Sequence, residues 1–272
     1  ELLKRLSKFN SIYEVVISDD NSDTTQIKMI NQLVKDYKKN FKISLYTNDE
    51  NIGGFHNKRK VTSLCSGNYI YQIDCDNLPN IKSLYKISDF INTSDFNFNN
   101  LYLPSKLVTF KHGKKSSFLK PKNYVTFSND TLILTKNLIN LNLEGKKNSI
   151  KDKSIRWVLN IGNPFYEKEN YISKTSEVPY SSKIAADAMA LSYYWIKNDG
   201  DIVLLNGLKH YHRLREDSYY VVQGAESTNS VNLLISIRIL RVSSYYLANR
   251  NLIVYKAVMY NRPSSQCIAY KC

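Results

Sequence analysis

The chain has 272 residues, 43% of them hydrophobic, which excludes a disordered protein and allows one domain or two closely joined halves. The 38 Lys and Arg residues outnumber the 24 Asp and Glu residues, and the net charge of +14 suits an anionic partner such as a nucleoside diphosphate. No run approaches 18 apolar residues and no signal peptide opens the chain, so we expect no transmembrane segment in this stretch. The four cysteines form no C-x-x-C pair, which argues against zinc and for a reduced protein, cytoplasmic or peripheral at the cytoplasmic membrane face.

The first hundred residues alternate between strand and helix patterns. Apolar runs predict strands at residues 12–18, 42–47 and 69–73, and apolar periodicity predicts helices at 1–9, 27–37 and 56–66. Asp23 is a predicted helix cap, and the second helix has an apolar stripe of Ile27, Ile30, Val34 and Tyr37. Short loops in the order strand, helix, strand predict a parallel sheet.

The pattern changes after residue 100. Strand-like segments at 101–110, 122–128 and 130–135 alternate with Lys-rich turns, and residues 157–171 look aromatic and irregular. A helix from Asp187 to Asn198 precedes a strand at 201–205, and a last helix is predicted at 230–248.

Two carboxylates, Asp74 and Asp76, follow the strand predicted at 69–73. Residues i and i+2 share a face while strand geometry lasts, so both side chains can meet one hard divalent cation. Ligands also collect at the carboxyl ends of strands in an open α/β sheet. The alternative is an acidic turn that merely ends a strand.

Other candidates lie at predicted strand ends and helix starts. Asp19 or Asp20 can accept hydrogen bonds from a base or ribose, and Asp187 is either a general base or a helix cap. Lys58 and Arg59 are predicted to begin a helix after a Gly-Gly turn, where they can pair with phosphates.

A histidine pair follows the strand at 201–205. His212, beside His210, is either a metal ligand or a hydrogen-bonded structural residue.

Three segments, taken in order, resemble the nucleotide-sugar glycosyltransferases of family 2. They are VVISDDNSD at 15–23, NIGGFHNKRKVTSLCSGNYIYQIDCDN at 51–77, and AADAMALSYYWIKNDGDIVLLNG at 185–207 with HYHR after it. The resemblance implies an α/β GT-A (Rossmann-like) fold. Its central sheet would be mostly parallel and flanked by helices, with a smaller antiparallel sheet on the acceptor side.

The resemblance also implies roles for individual residues. Asp20 would contact the nucleotide base, Asp74 the ribose and a divalent metal, and Asp76 the metal more firmly. Asn51, Gly53, Lys58 and Arg59 would lie along the donor, although the family often has Arg-Asn where this chain has Lys58-Arg59.

On the acceptor side, Asp187 would be the base, with Ala186 in place of the usual Glu. His212 would approach the metal or the diphosphate.

The C-terminal sequence contains a motif that such enzymes carry at their start. Residues 252–272 read as a strand followed by Tyr260, Asn261 and Arg262, the nucleotide-pocket motif of the family's first strand. Joined to residue 1, this segment would restore the family's usual spacing, so we expect it to supply the first sheet strand. The alternative is an ordinary C-terminal extension of a chain that lacks its first strand.

These features predict a glycosyltransferase domain at 1–215, with a donor half at 1–100 and an acceptor half at 101–215, followed by a helix and strand at 216–272. The resemblance implies a metal-dependent hexosyltransferase of glycan biosynthesis that would use Mn²⁺ or Mg²⁺ and a UDP- or GDP-sugar donor. It would invert configuration with Asp187 as base. The acceptor would be a glycan, a lipid-linked molecule or a protein.

Two alternatives belong to other classes. A sugar-phosphate nucleotidyltransferase would need a Gly-rich basic loop after its first strand, and none is visible. A basic nucleic-acid-binding or anion-binding protein would need a clustered stripe of charge, whereas these charges are dispersed, so we expect no nucleic-acid partner.

Overall fold

A computed structural model describes residues 1–111, 114–119, 132–134, 162–178 and 187–214, and the structural statements below concern these residues. Six helices and eight strands lie within them. The helices are α1 (Leu2–Leu6), α2 (Thr24–Tyr37), α3 (Gly54–Leu64), α4 (Ile81–Ile91), α5 (Lys168–Lys174) and α6 (Asp187–Lys197). The strands are β1 (Glu14–Asp19), β2 (Lys42–Thr47), β3 (Tyr69–Tyr71), β4 (Leu101–Lys111), β5 (Lys114–Leu119), β6 (Leu132–Leu134), β7 (Phe165–Glu167) and β8 (Ile202–Leu214).

The strands form one small parallel sheet and one larger mixed sheet. Strands β1 and β2 pair in parallel from Glu14 opposite Lys42 to Asp19 opposite Thr47. The mixed sheet has the order β3-β7-β4-β8-β6, with β5 paired to β4. Its longest contact is the parallel pairing of β4 with β8.

The predicted α/β class is confirmed, but the assignment of strands to the two sheets differs from the expectation. We expected β3 to extend the parallel sheet, whereas β3 pairs antiparallel with β7. Among the described strands, β1 pairs only with β2 and β3 only with β7, so each has a second edge that no other described strand occupies.

Local signals fix where the helices begin. The Asp23 carboxylate accepts hydrogen bonds from the backbone N–H groups of Thr25 and Gln26, which confirms the predicted cap of α2. Asn80 caps α4 in the same way. Gly53 has a φ of 84°, a left-handed conformation that glycine adopts without steric cost, and it turns the chain directly into α3.

Two apolar clusters stabilise the fold, and one side chain connects them. The first gathers Leu3, Leu6, Phe9, Phe41, Ile43 and Leu84. The second gathers Ile87, Tyr102, Phe165, Val203, Leu205 and Leu208. Tyr71 of β3 packs against both clusters, so it joins the parallel-sheet half to the mixed-sheet half.

Several predicted elements need correction. Strand β3 ends at Tyr71 rather than at residue 73, and α3 begins at Gly54 rather than near 56. Lys114–Leu119, read as a Lys-rich turn, is a strand because it pairs with β4. The segment read as irregular contains β7 and α5.

The C-terminal end of the second half also differs from the prediction. Strand β8 runs on past residue 205 to Leu214 and contains both histidines. The helix predicted at 230–248 and the strand-like segment at 122–128 lie outside the described residues.

In the part of the chain that the structure describes, no helix has the length and apolar character that crossing a bilayer requires.

Glu14 offers a test of how the two sheets are joined, because one of its carboxylate oxygens accepts hydrogen bonds from the backbone N–H groups of Ser66 and Gly67, just before β3. Burial alone would raise the pKa of Glu14, but these hydrogen bonds and the charge of Lys42 outweigh it and lower that pKa below the ordinary 4.5. A carboxyl group whose pKa is lowered by folding stabilises the fold fully above its unfolded pKa, and that stability is lost as the pH falls through the folded pKa.

We therefore expect Glu14→Gln to lower the free energy of unfolding by about 1–2 kcal/mol at pH 7, with the difference from the wild type shrinking below pH 4.5. Urea unfolding of both proteins at pH 7 and at pH 3.5 measures this difference. Glu50→Gln, which removes the same charge from an exposed side chain, is the control. A difference that stays constant down to pH 3.5 would contradict this account.

Candidate functional site

The turn that leads into α3 is held by the Asp20 carboxylate. Its two oxygens accept hydrogen bonds of 2.9 Å from the backbone N–H groups of Ile52 and Gly53, and one also accepts from the Asn48 amide. The Asn51 amide donates in turn to the Asp20 carbonyl oxygen. Asp20 therefore ties the end of β1 to the start of α3, and its predicted contact with a nucleotide base stays a prediction.

Its neighbour Asp19 has a local role. The side chain is buried and accepts hydrogen bonds from the backbone N–H and the hydroxyl of Ser22. This carboxylate therefore shapes the loop after β1.

A polar network that the sequence did not reveal lies beneath this turn. Asn57 on α3 exchanges hydrogen bonds with the hydroxyl and carbonyl groups of Ser18 and accepts one from Asn48. The Lys60 ammonium donates to the side-chain oxygen of Asn48 at 2.7 Å. Helix α3 is thus fastened to the ends of β1 and β2 through side chains whose only sequence signal is a high Asn content.

Asp74 and Asp76 lie in a turn rather than on a strand. The backbone N–H of Asn77 donates to the Asp74 carbonyl oxygen at 3.0 Å, which closes a tight turn over residues 74–77. The expectation that both carboxylates share a strand face is therefore wrong, because strand β3 has already ended. The buried Asn77 side chain also donates to an Asp74 carboxylate oxygen at 3.2 Å.

Lys58 contacts both the carboxylate predicted to bind the donor and the metal, Asp74, and the carboxylate predicted to be the base, Asp187. Its ammonium nitrogen lies 2.5 Å from an oxygen of Asp74 and 2.5 Å from an oxygen of Asp187. The lysine side chain is only 19% exposed, and those of Asp74 and Asp187 are 36% and 24% exposed. We call Lys58, Asp74 and Asp187 the ion triad.

The ion triad forms where α3 meets the start of α6. Asp187 is the first residue of α6, and its other carboxylate oxygen accepts a hydrogen bond from the backbone N–H of Ala188. Gly54 lies so near that a Cβ atom built on it would be 3.2 Å from the Asp187 carboxylate. Since α3 begins at Gly54, Lys58 sits on the second helical turn, not at the helix start as predicted.

The charge state of Lys58 follows from these contacts. Burial by itself would lower the pKa of Lys58, but the negative charges of Asp187 and then Asp74 outweigh it and raise that pKa above its ordinary value. The lysine is therefore a fixed cation, and the ion triad as a whole carries one net negative charge.

The Arg59 side chain contacts a different part of the fold from that of Lys58. Its guanidinium Nε donates to the Thr175 hydroxyl at 3.3 Å, beyond the end of α5. Three residues on, Thr62 shares a hydrogen bond with the Tyr166 hydroxyl. These contacts fasten α3 to β7 and to the end of α5, and the donor contact predicted for Arg59 stays a prediction.

The two histidines lie side by side on β8. Their rings stack with centroids 5.5 Å apart, and His212 Nδ1 is 3.1 Å from the Asn77 side-chain oxygen, so Asn77 links His212 to Asp74. His210 is buried, and burial, together with His212 and Lys58, lowers its pKa to about 3, which keeps the ring neutral at physiological pH. A Cβ atom built on Gly162 would lie 3.1 Å from the His210 ring and 3.8 Å from Asp74, so only glycine leaves this space open.

No group of three or more His, Cys, Asp or Glu side chains converges to hold a metal ion within the described ranges. Asp74 and Asp76 lie in the same turn, and Asn77 links Asp74 to His212 by hydrogen bonds. Within the described residues, these three side chains do not enclose a metal site. Tyr260, Asn261 and Arg262 lie outside the described residues.

Comparisons with known proteins bear on this arrangement. The sequence profile described as Glycosyl transferase family 2 matches residues 1–140. No curated protein sequence matches the chain significantly.

Solved structures share the fold at low sequence identity. TarS 1-349 of S. aureus in complex with UDP is 16% identical with a TM-score of 0.55, and the match covers 93% of this chain and 62% of that one. Another S. aureus TarS structure gives 16% and 0.56, covering 95% of this chain and 39% of that one. GalNAc-T7 with UDP, GalNAc and Mn²⁺ gives 12% and 0.51, covering 75% of this chain and 38% of that one. This chain thus corresponds to less than two thirds of the length of each.

The geometry predicts a structural role for Asp20 that a nucleotide contact alone would not give. Asp20→Asn replaces one acceptor oxygen with a donor that faces N–H groups, so we expect a loss of about 1–3 kcal/mol in the free energy of unfolding without any nucleotide. Chemical denaturation measures it, with Asp49→Asn at a nearby exposed carboxylate as the control. Unchanged stability combined with lost nucleotide binding would make Asp20 a nucleotide ligand only.

Proposed function

Because the chain belongs to glycosyl transferase family 2, we propose that it transfers a sugar from a nucleoside diphosphate sugar to an acceptor hydroxyl group. The ion triad is the observation that carries this proposal. It brings the candidate donor-site carboxylate, Asp74, and the candidate base, Asp187, to one nitrogen atom from opposite halves of the fold. A displacement reaction needs leaving-group stabilisation and a base next to each other, and this contact supplies both.

The residues present fit a divalent cation of the hard, oxygen-preferring kind. Mg²⁺ is commonly bound by one or two carboxylates together with substrate phosphates, which matches the two carboxylates of the turn at 74–77 better than a closed cage would. His212, next to Asn77, is the further candidate ligand. When bound, Mn²⁺ or Mg²⁺ would neutralise charge on the leaving diphosphate. The presence of Mn²⁺ with UDP in the GalNAc-T7 structure supports the proposal.

The chain's own groups then divide the work. Asp187 accepts the proton of the acceptor hydroxyl, and the hydroxyl oxygen forms a bond to the anomeric carbon from the face opposite the diphosphate. The bond from that carbon to the phosphate oxygen breaks, its electron pair leaves with the diphosphate, and the configuration inverts. Lys58 offers positive charge near the departing group, because its ammonium is fixed beside Asp74.

UDP-sugars are the first donors to test, since TarS and GalNAc-T7 structures contain UDP. GDP-sugars stay as the second class. The acceptor is proposed to be a glycan, a lipid-linked molecule or a protein, and much of the segment at 101–180 that would shape its site lies outside the described residues.

We also propose the division into a domain at 1–215 and a unit at 216–272 whose strand at 254–258 joins the sheet. The edges of β1 and β3 that no other described strand occupies support this idea, because each can accept one more strand. Tyr260, Asn261 and Arg262 would then reach the donor site. An experimental structure that places residues 254–258 away from 15–17 would end the proposal.

The catalytic role of Asp187 has a direct test. Asp187→Asn keeps the size of the side chain but removes its proton-accepting carboxylate, so we expect sugar transfer to fall at least ~10²-fold while donor binding is retained. Transfer assays and nucleotide titrations measure the two effects. Asp36→Asn on the exposed face of α2 is the control. Retained turnover would remove Asp187 from the role of base.

The donor site has a test that does not need the acceptor. In a thermal-shift screen with Mn²⁺ and each of UDP, GDP and CMP, we expect one nucleotide to raise the melting temperature only when metal is present, because a ligand that binds the folded state alone stabilises it. Asp76→Ala should lose this shift. A shift that survives without metal and in the variant would contradict a metal-dependent donor site.

A further inference from the structure

Building on the proposed function, we propose that Lys58 is the resident counter-cation of the donor site and makes divalent metal and nucleotide bind interdependently. When no donor is bound, the Lys58 ammonium lies between the carboxylates of Asp74 and Asp187. A metal ion then binds Asp74 only together with a diphosphate, because the negative charge of the diphosphate offsets the positive charge of the ammonium.

The first support is the shared contact itself. Asp74 and Asp187 each place an oxygen 2.5 Å from the same nitrogen, and all three side chains are at most partly exposed. Two carboxylates so close together repel each other unless a cation lies between them. Among the contacts described for these two carboxylates, Lys58 supplies that cation.

The second support is that Lys58 is held in this position by the fold. Lys58 lies one helical turn after Gly54, on the same face of α3, and Gly54 is the residue that lets Asp187 come close. The helix is fixed at its start by Asp20 and along its length by Asn57 and Thr62. The ammonium is thus aimed at the carboxylates by a rigid element.

The third support is competition for the same atoms. A divalent cation binds carboxylate oxygens at about 2.0–2.6 Å, so at Asp74 it would meet either the oxygen that faces Lys58 or the one that accepts a hydrogen bond from Asn77, on a carboxylate that Lys58 already contacts. Like charges at that distance repel, and no cage of three protein ligands in the described ranges compensates for the repulsion. A nucleoside diphosphate supplies both additional oxygen ligands and negative charge, which removes both obstacles at once.

The test measures Mn²⁺ binding by calorimetry and by the Mn²⁺ spin-resonance signal, with and without UDP, in the full chain. For the wild type we expect UDP to tighten Mn²⁺ binding at least tenfold. For Lys58→Met we expect nucleotide-free Mn²⁺ binding at least tenfold tighter than in the wild type, and a correspondingly smaller effect of UDP. Lys58→Arg, which keeps the charge, should keep most of the coupling.

Two further variants make the result specific. Lys82→Met removes the same charge from an exposed lysine on α4 and should leave Mn²⁺ binding unchanged. Lys58→Gln retains a group that can donate hydrogen bonds to both carboxylates, and it replaces Lys58→Met if the methionine variant does not fold. We expect it to tighten nucleotide-free Mn²⁺ binding in the same direction.

The outcomes separate this inference from the proposed function. Nucleotide-free Mn²⁺ binding that is unchanged or weaker in both uncharged variants would overturn it, and Lys58 would then be a structural tie. Wild-type protein that transfers sugar but binds Mn²⁺ equally well with and without UDP would also overturn it, leaving the transferase proposal intact. Coupled binding of Mn²⁺ and UDP without sugar transfer would support the inference and contradict the proposed function.

Discussion

The arrangement of this protein depends on a single ammonium group placed between two carboxylates. Asp74 follows β3 of the mixed sheet, and Asp187 begins α6, so two carboxylates from distant parts of the chain meet at one ammonium group. Two carboxylates this close repel each other unless a cation lies between them. Lys58 supplies that cation, with its nitrogen 2.5 Å from an oxygen of each.

Helix α3 is the support for this arrangement. One of its faces is fastened to β1 and β2 by Asn57 and Lys60, and another reaches α5 and β7 by Arg59 and Thr62. Charged groups that must stay within hydrogen-bonding distance are positioned better by a rigid element than by a loop. The Gly53–Gly54 pair explains how the helix comes close enough: the first glycine turns the chain and the second leaves room for Asp187.

The sequence predicted what depends on neighbouring residues. Asp23 caps α2, Val34 and Tyr37 of its apolar stripe pack against the first apolar cluster, and α6 begins at Asp187, because these features follow local chemistry and helical periodicity. The pairing of β3 with β7 and the contact of Lys58 with Asp187 did not follow, since no local pattern encodes which distant segment a residue meets. The lysines of Lys114–Leu119 suggest a turn in the sequence, and the segment is a strand because it pairs with β4.

The family resemblance singled out Lys58, Asp74 and Asp187, which the structure brings together, but it did not give their contacts. The resemblance implies a nucleotide contact for Asp20, which stays a prediction, and it did not indicate that the Asp20 oxygens hold the turn before α3. Asn48, Asn57 and Asn77 were not singled out at all, because in a chain rich in asparagine a buried, hydrogen-bonded one looks like any other. Buried amide side chains need partners on several sides, and only the folded chain shows which partners are available.

The parallel pairing of β4 with β8 has a consequence for how the chain folds. Leu101 lies opposite Ile202, so the longest strand contact of the mixed sheet joins segments about a hundred residues apart in the chain. Such a contact closes a large loop before any of its hydrogen bonds form, which makes it a slow step in folding. Asp187 and the two histidines arrive with the later segment. A newly made chain can therefore complete the ion triad only after this later segment has been synthesised.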